Sequence, residues 1–292
     1  MQTSPENPTG YMAWRDAKLA AYPRSARDIR VRIADLAAPS AAERAEIIAC
    51  CNRCGMAIYE AAAGTSGDEA RADLRRFAAS FGLGEIEDHR SADSDGIVAI
   101  EVTDQSTKRG FIPYTNRPLN WHTDGYYNGP DEAIRAMILH CVRPADAGGE
   151  NALLDPEIVY VRLNDHAPAF AAAMMHPEAM TIPESVEEDG RTRPTSTGPV
   201  FAFDAGGKLT TRYTARARNV VWRDDPDTRA AVAFIDRLLA KEQEPLIIRY
   251  TLAAGEGLIS NNVLHTRTGF ENAAGAGRLL LRGRYGKRIC GT

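Results

Sequence analysis

Arg278-Leu279-Leu280-Leu281-Arg282-Gly283-Arg284-Tyr285 alternates with a period of two. Arg278, Leu280, Arg282 and Arg284 share one face, and Leu279, Leu281 and Tyr285 share the other, the pattern of a β-strand. Two readings of the arginine face are open. It faces water while the leucines pack on the core, as on many half-buried strands. Alternatively it looks into a cavity, where a planar guanidinium takes a carboxylate in bidentate fashion. Alternation alone favours the first.

Outward from that strand, the chain reads as many short strands broken by a few helices. Strand-like runs fall at 56–59, 96–102, 133–142, 151–154, 200–203, 209–213, 246–252 and 257–260. Helical spacing covers 41–54, closed by Gly55, and 68–81, closed by Gly82, with helical insertions at 156–163, 167–175 and 227–241. The pattern suits a mixed, β-rich barrel with helical insertions and cover, not alternating parallel βαβ units. Segment 184–197, rich in charge, threonine and proline, is expected to be a mobile loop of the kind that covers active sites.

Chemistry concentrates at His122-Thr123-Asp124 and His265. Residues i and i+2 of an extended segment point the same way, so His122 and Asp124 can address one ion while Thr123 points elsewhere. His265 follows the apolar run Gly257-Leu258-Ile259-Ser260 and the turn-prone pair Asn261-Asn262, which suits a third ligand from a distant strand. Two imidazoles and a carboxylate fit a divalent first-row metal with open positions, as in non-haem Fe(II) oxygenases. A lone His-x-Asp also fits a surface histidine at a turn. His176-Pro177-Glu178 is a rival His-x-carboxylate pair, but it follows a helix and has no adjoining strand. His140 sits in an apolar run and reads as a hydrogen-bonded core residue. His89 and His166 read as surface residues.

Taken in order, Trp121-His122-Thr123-Asp124-Gly125, Gly148-Gly149-Glu150-Asn151, Asn262-Val263-Leu264-His265-Thr266-Arg267-Thr268-Gly269-Phe270 and Arg278-Leu279-Leu280-Leu281-Arg282 resemble the motifs of the taurine dioxygenase-like (TauD/TfdA) family of Fe(II)/2-oxoglutarate-dependent oxygenases. The resemblance covers roughly the last two thirds of the chain. It implies a double-stranded β-helix (jelly roll) core, with Fe(II) held by His122, Asp124 and His265 and with 2-oxoglutarate and O2 as cosubstrates. Arg278 would clamp the distal carboxylate of 2-oxoglutarate, and Arg282 would touch an anionic group of the substrate. Many relatives carry a threonine where Asn151 stands; the Asn151 amide would donate to the same carboxylate in its place. The implied reaction couples cosubstrate decarboxylation to oxidation of an unactivated C–H bond, releasing succinate and CO2. Related halogenases replace the carboxylate ligand with a small residue, so the presence of Asp124 points to hydroxylation or a similar oxidation.

Trp121, Tyr126, Tyr127 and Asn128 flank the motif. They form an aromatic surface for a substituted ammonium, or they pack at the barrel mouth while Arg282 and Arg212 hold a carboxylate or sulfonate. A small anionic or zwitterionic metabolite is the expectation, with Arg282, Tyr126 and Arg212 as its contacts. Arg212, Arg216, Arg218 and Arg223 form a local basic excess that is either a solvated face or one wall of an anion-attracting pocket.

Composition agrees with a soluble enzyme: 292 residues at 44% hydrophobic content support a sizeable core. One catalytic domain over 11–292 behind a flexible tail over 1–10 is the simplest organisation, and self-association into a homo-oligomer is left open. A net charge of -4, with arginines interleaved among acids, argues against a nucleic-acid partner. The polar, proline-bearing N-terminus lacks the features of a secretory signal, and no run is apolar enough to span a membrane, so a cytoplasmic location is expected. Of the five cysteines, Cys50, Cys51 and Cys54 cluster, and without a second CxxC pair they read as reduced thiols on a core-packed helix. A second class of function also fits a barrel with this ligand set: a non-oxidative metal-binding protein, either a zinc-dependent hydrolase or a sensor of a small acid. Arg278, for which a hydrolase has no evident need, separates the two.

Overall fold

The computed structural model describes residues 8–62, 67–87, 94–103, 111–186, 190, 192–216, 218, 220–240, 244–273 and 277–292. Ten strands build its two larger sheets. They are β1 (Arg30–Arg32), β2 (Met56–Glu60), β3 (Val98–Ile100), β4 (Leu119–His122), β5 (Ala136–Arg143), β6 (Asn151–Leu154), β7 (Ile248–Tyr250), β8 (Glu256–Ser260), β9 (Leu264–Arg267) and β10 (Leu279–Tyr285). The larger sheet runs β1-β2-β8-β5-β10-β3 and the smaller β7-β6-β9-β4, antiparallel throughout except for the β1–β2 pair. The architecture is the expected double-stranded β-helix with helical cover.

β10 lies inside the larger sheet, paired with β5 along its length and with β3 on the other side. Its leucine face enters the core, where Leu281 is 1% exposed. The arginine face is buried as well, with Arg278, Arg282 and Arg284 only 5%, 7% and 3% exposed. The solvent-facing reading of that strand is therefore overturned: the arginines look inward, toward the space between the sheets. One hydrophobic core joins Ile58, Ile138 and Ile259 of the larger sheet to Leu153, Leu154 and Leu264 of the smaller. Each such side chain contributes about 1.5–3 kcal/mol on burial.

Helix α2 (Ala41–Cys54) has the boundaries its sequence predicts. Ser40 caps its start in a reciprocal box with Glu43, and Gly55, at φ 75°, closes it. It buries Ile47, Cys50, Cys51 and Cys54, and burial raises the three thiols, so they are inert core groups. Helix α3 spans Gly67–Ser80. The insertion carries α4 (Pro156–His166), α5 (Pro168–Met174) and α6 (Pro226–Leu239).

Three features differ from expectation. Helix α1 (Pro8–Ala21) begins inside the tail expected over 1–10, while residues 1–7 lie outside the described residues. It is fastened by tertiary contacts: Lys18 lies 2.6 Å from Asp155 and 2.5 Å from Glu157, and Tyr11 donates to Asp165 at 3.1 Å. The segment expected as a loop at 184–197 is paired structure, with Ser185–Val186 against Thr192–Arg193 and Ser196–Gly198 against Met180–Ile182. Residues 187–189 and 191 lie outside the described residues. Lastly, β4 and β9 are absent from the strand-like runs, although the metal site was expected to take His122 from an extended segment and His265 from a distant strand, as it does. No helix among the described residues is long and apolar enough to cross a membrane.

Candidate metal centre and substrate cavity

β4 and β9 pair in a register that sets His122 opposite His265. Their ring centroids are 4.2 Å apart. Beyond β4 the chain turns, and Asp124 joins the two histidines so that one ligand atom of each residue lies within 4.8 Å of the others. Thr123 points away, as its position predicts. Its N–H donates to the Tyr213 carbonyl at 3.0 Å and its hydroxyl accepts from the Tyr213 N–H at 3.1 Å, which pins the turn. Gly125 follows at φ 65°, where a Cβ would overlap the Ile134 side chain.

Both imidazoles are anchored through Nδ1. His122 Nδ1 lies 2.8 Å from the Asn120 carbonyl and His265 Nδ1 lies 3.0 Å from the Val263 carbonyl. A carbonyl only accepts, so Nδ1 carries the proton and Nε2 presents its lone pair. Burial, then the neighbouring His265, pushes His122 down to about 3, and burial lowers His265 as well. Burial alone would raise Asp124, but Arg282 and Arg284 hold its carboxyl well below the ordinary range. Two neutral imidazoles and a carboxylate thus stand ready at neutral pH. Asp124 Oδ2 is buried and has no hydrogen-bond partner among the described residues. An orphaned carboxylate oxygen beside two outward-aimed nitrogen lone pairs is a donor set that fits a divalent cation.

The site borders a cavity of about 940 Å3 whose wall includes His122, Asp124, Tyr126, Tyr127, Arg282 and Arg284. Tyr126 lies where its sequence position suggests, its ring 6.4 Å from that of His122. Arg282 does reach the site, through a contact with the metal ligand: Nη1 lies 3.1 Å from Asp124 Oδ1. Arg284 lies 3.6 Å from the same oxygen, donates to the Tyr127 hydroxyl at 3.1 Å and pairs with Glu87.

Arg278 sits apart from that wall, its guanidinium carbon 5.0 Å from the centre of the Phe270 ring, with Arg267 at 4.7 Å from the same ring. Arg267 donates to the Thr115 carbonyl at 3.1 Å and to the Arg117 carbonyl at 2.5 Å. No acceptor or acid pairs with the Arg278 side chain among the described residues, and burial lowers its pKa. An unpaired buried guanidinium calls for an anionic ligand. Asn151, on β6 opposite Arg267, donates its amide to the Tyr250 carbonyl at 3.4 Å.

Arg212 is a correction. Its Nε donates to the Tyr126 carbonyl at 2.7 Å, Nη1 to Met180 at 3.1 Å and Nη2 to Ser196 at 2.7 Å. These three bonds, from three of its five N–H donors, clamp three chain segments together, and Arg212 lies outside the metal-cavity wall where a substrate contact was expected. Of the basic group around it, Arg216 lines the cavity, while Arg223 pairs with Asp225 at 3.4 Å. His176 accepts the Glu178 N–H at 3.1 Å within its own turn, so the rival pair closes a turn. His140 is buried with Nδ1 3.1 Å from the Tyr59 hydroxyl, as expected for a core histidine. His166 is exposed, and His89 lies outside the described residues.

Two contributors escaped the sequence reading. Asn262, at φ 56° and 5% exposed, accepts the Asp124 N–H at 2.8 Å and donates to the carbonyls of Asp124 at 3.0 Å and Ile134 at 2.8 Å. Its place in a turn-prone pair was visible, but its partner 138 residues away was not. Arg284 was visible on the right strand face without a role.

A jelly roll in which two histidines and an aspartate come within 4.8 Å of one another, two of them on a cavity wall, has the architecture of a non-haem metal enzyme. The chain belongs to the taurine catabolism dioxygenase TauD, TfdA family, whose pattern it matches over residues 16–284, and it is an oxidoreductase of the dioxygenase class. One relative, a uridine-5'-phosphate dioxygenase of Amycolatopsis sp, is 30% identical over 221 residues, covering 71% of this chain and 73% of that protein. Two solved structures share the fold. Asparagine oxygenase in complex with Fe(II), 2S,3S-3-hydroxyasparagine and succinate aligns with a TM-score of 0.61 at 15% identity, over 96% of this chain and 85% of that one. The non-heme iron oxygenase OrfP in complex with Fe and alpha-ketoglutaric acid aligns with a TM-score of 0.61 at 17% identity, over 96% and 92%.

Proposed function

We propose that residues 11–292 form one catalytic domain in which His122, Asp124 and His265 hold Fe(II), and that the protein oxidises a C–H bond of a phosphorylated small metabolite of nucleotide size. The observation that carries the metal assignment is the orphaned Asp124 Oδ2 beside two imidazoles fixed with Nε2 free. With 2-oxoglutarate and O2, bound iron supplies the oxidation of an unactivated C–H bond, with release of succinate and CO2. The chain's own work is placement. Asn120 and Val263 orient the histidines, Asn262 and Thr123 fix the turn, and Arg282 occupies Oδ1 so that Oδ2 faces the ion. Arg278 receives the distal carboxylate of 2-oxoglutarate, and Asn151, opposite Arg267 on the smaller sheet, would leave the Tyr250 carbonyl to donate to the same group.

Three observations support the substrate class. The cavity, about 940 Å3, is large enough for a nucleotide-sized molecule beside His122 and Asp124. Arg193 and Arg216 line it without a carboxylate partner among the described residues: Arg193 donates to the Pro183 carbonyl at 2.8 Å and Arg216 to the Tyr126 hydroxyl at 3.4 Å. Lastly, the relative described above is named for a 5'-phosphorylated nucleoside. Tyr126 and Tyr127, at 5.2 Å between ring centroids, provide an aromatic surface for the organic part. The hairpin carrying Arg193 serves as a lid. Anaerobic addition of Fe(II) and 2-oxoglutarate should produce a visible absorption band, and uridine 5'-phosphate should stimulate succinate formation more than uridine or asparagine. Absence of the band overturns the metal and cosubstrate assignment; equal stimulation by uridine overturns the phosphate.

A further inference from the structure

A second cavity, of about 200 Å3, shares Asn128, Ala133, Ile134 and Ser196 with the metal cavity but is otherwise built from different elements. They are the start of α4, the turn at 261–263, the strands at 201–203 and 209–211, and Arg288 near the C-terminal end. Five cations line it, Lys18, Arg135, Lys208, Arg212 and Arg288, against two carboxylates, Asp155 and Glu157. Lys18 takes both carboxylates, and Arg212 gives three of its five N–H donors to backbone carbonyls. Arg135 and Arg288 form no ion pair among the described residues, although the charge of Arg288 is felt by Glu157. Arg288 donates from Nη1 to the Leu209 carbonyl at 3.3 Å, but its Nε is buried without a partner. Arg135 Nη1 and Thr211 Oγ1 are also buried without partners among the described residues.

Two guanidinium donors and a hydroxyl, unsatisfied around one small cavity with excess positive charge, are costly unless something accepts from them. We propose that this cavity binds a small oxyanion, a carboxylate or a phosphate, between Arg135, Arg288 and Thr211, as a site separate from that of the oxidised substrate. Guanidinium geometry favours a planar or tetrahedral oxyanion over halide.

The test is calorimetric titration of inorganic phosphate, and separately of citrate, into full-length protein loaded anaerobically with Fe(II) and 2-oxoglutarate. Saturable binding near one equivalent is expected for at least one of the two probes. Arg135→Gln and Arg288→Gln should each weaken it about tenfold or more, and Arg223→Gln, which pairs with Asp225 outside both cavities, should leave it unchanged. The Fe(II)/2-oxoglutarate band shows whether each variant is folded; if an arginine variant fails to fold, Thr211→Val decides, with weakened binding expected. Non-saturating titrations with both probes, or binding indifferent to the folded variants at 135, 211 and 288, means an adventitious ion only and overturns the proposal. Displacement of the anion by uridine 5'-phosphate would make the cavity an arm of the substrate site, and would overturn the separate site without touching the metal assignment.

Discussion

Arg282 Nη1 and Asp124 Oδ1 stand 3.1 Å apart, both side chains nearly shielded from water, while Asp124 Oδ2 has no partner. The carboxylate is thereby divided: one oxygen is held by the protein and the other is left for a cation. Because Arg284 lies 3.6 Å from the same Oδ1, the charge of Asp124 stays compensated when Arg282 is removed.

Arg282→Ala should therefore keep most of the Fe(II)/2-oxoglutarate absorption band while lowering substrate-stimulated succinate formation. Arg282 lies within β10 against Asp124, whereas Arg278 precedes the strand, beyond a register shift at Leu279 and Leu280, and sits by Phe270, so the two serve different groups. Asp124→Ala, by contrast, should abolish the band, and His176→Ala should leave it intact. If Arg282→Ala loses the band as fully as Asp124→Ala does, its role lies in metal retention alone.

Much of this was legible because local physics decided it. Helix α2 has both a capping box and a closing glycine, and β6 and β10 carry apolar runs, so their ends could be read directly. The ligand identities were legible for another reason, since few residue types bind such an ion and three fell in a suggestive order. What stayed hidden depends on distant partners. β4 and β9 read Leu-Asn-Trp-His and Leu-His-Thr-Arg, short and largely polar sequences that lack the apolar alternation that announces a strand. Helix α1 begins in a polar, proline-bearing stretch and is held by Asp155, Glu157 and Asp165 from the far side of the chain. Arg212 looked like a pocket cation because nothing local revealed the three carbonyls it ties together.

Asn262 is the test of how far positioning matters. Asn262→Gly keeps the left-handed backbone accessible and removes only the amide, leaving the Asp124 N–H and two carbonyls without its hydrogen bonds. The expected stability loss is about 1–3 kcal/mol. Affinity for Co(II), read from its visible spectrum, should fall as well, because the turn carrying Asp124 is released. Unchanged metal affinity alongside lost stability would make Asn262 a purely structural residue.

His140 should set an acid limit on stability. Burial pushes its pKa down to about 4 from an ordinary 6.5. The folded state thus resists protonation that the unfolded state accepts, so this contribution is fully present above pH 6.5 and is lost progressively as pH falls from there to 4. The loss amounts to about 3 kcal/mol. Urea unfolding of His140→Gln should show a shallower decline than the parent protein across that window. Parallel pH profiles would show that His140 is protonated in the fold.

Arg278 offers the sharpest distinction between cosubstrate site and scaffold, because its guanidinium is buried beside Phe270 with no acid to balance it. Arg267, against the same ring, is pushed down to about 10 by burial and by Arg278, so two cations crowd one aromatic face. An anion arriving at Arg278 relieves that repulsion, and the same burial that is costly without a ligand strengthens the pair once formed. Arg278→Ala should weaken 2-oxoglutarate binding by about 2–5 kcal/mol, read by anaerobic titration of the Fe(II) band. Lysine at this position should restore only part of the affinity, since an ammonium lacks the planar fork. The free variant should lose little stability, because the deleted charge had no ionic partner to leave behind. Unchanged 2-oxoglutarate affinity with a marked loss of stability would mean that Arg278 acts through packing on Phe270, and that the cosubstrate carboxylate is held elsewhere.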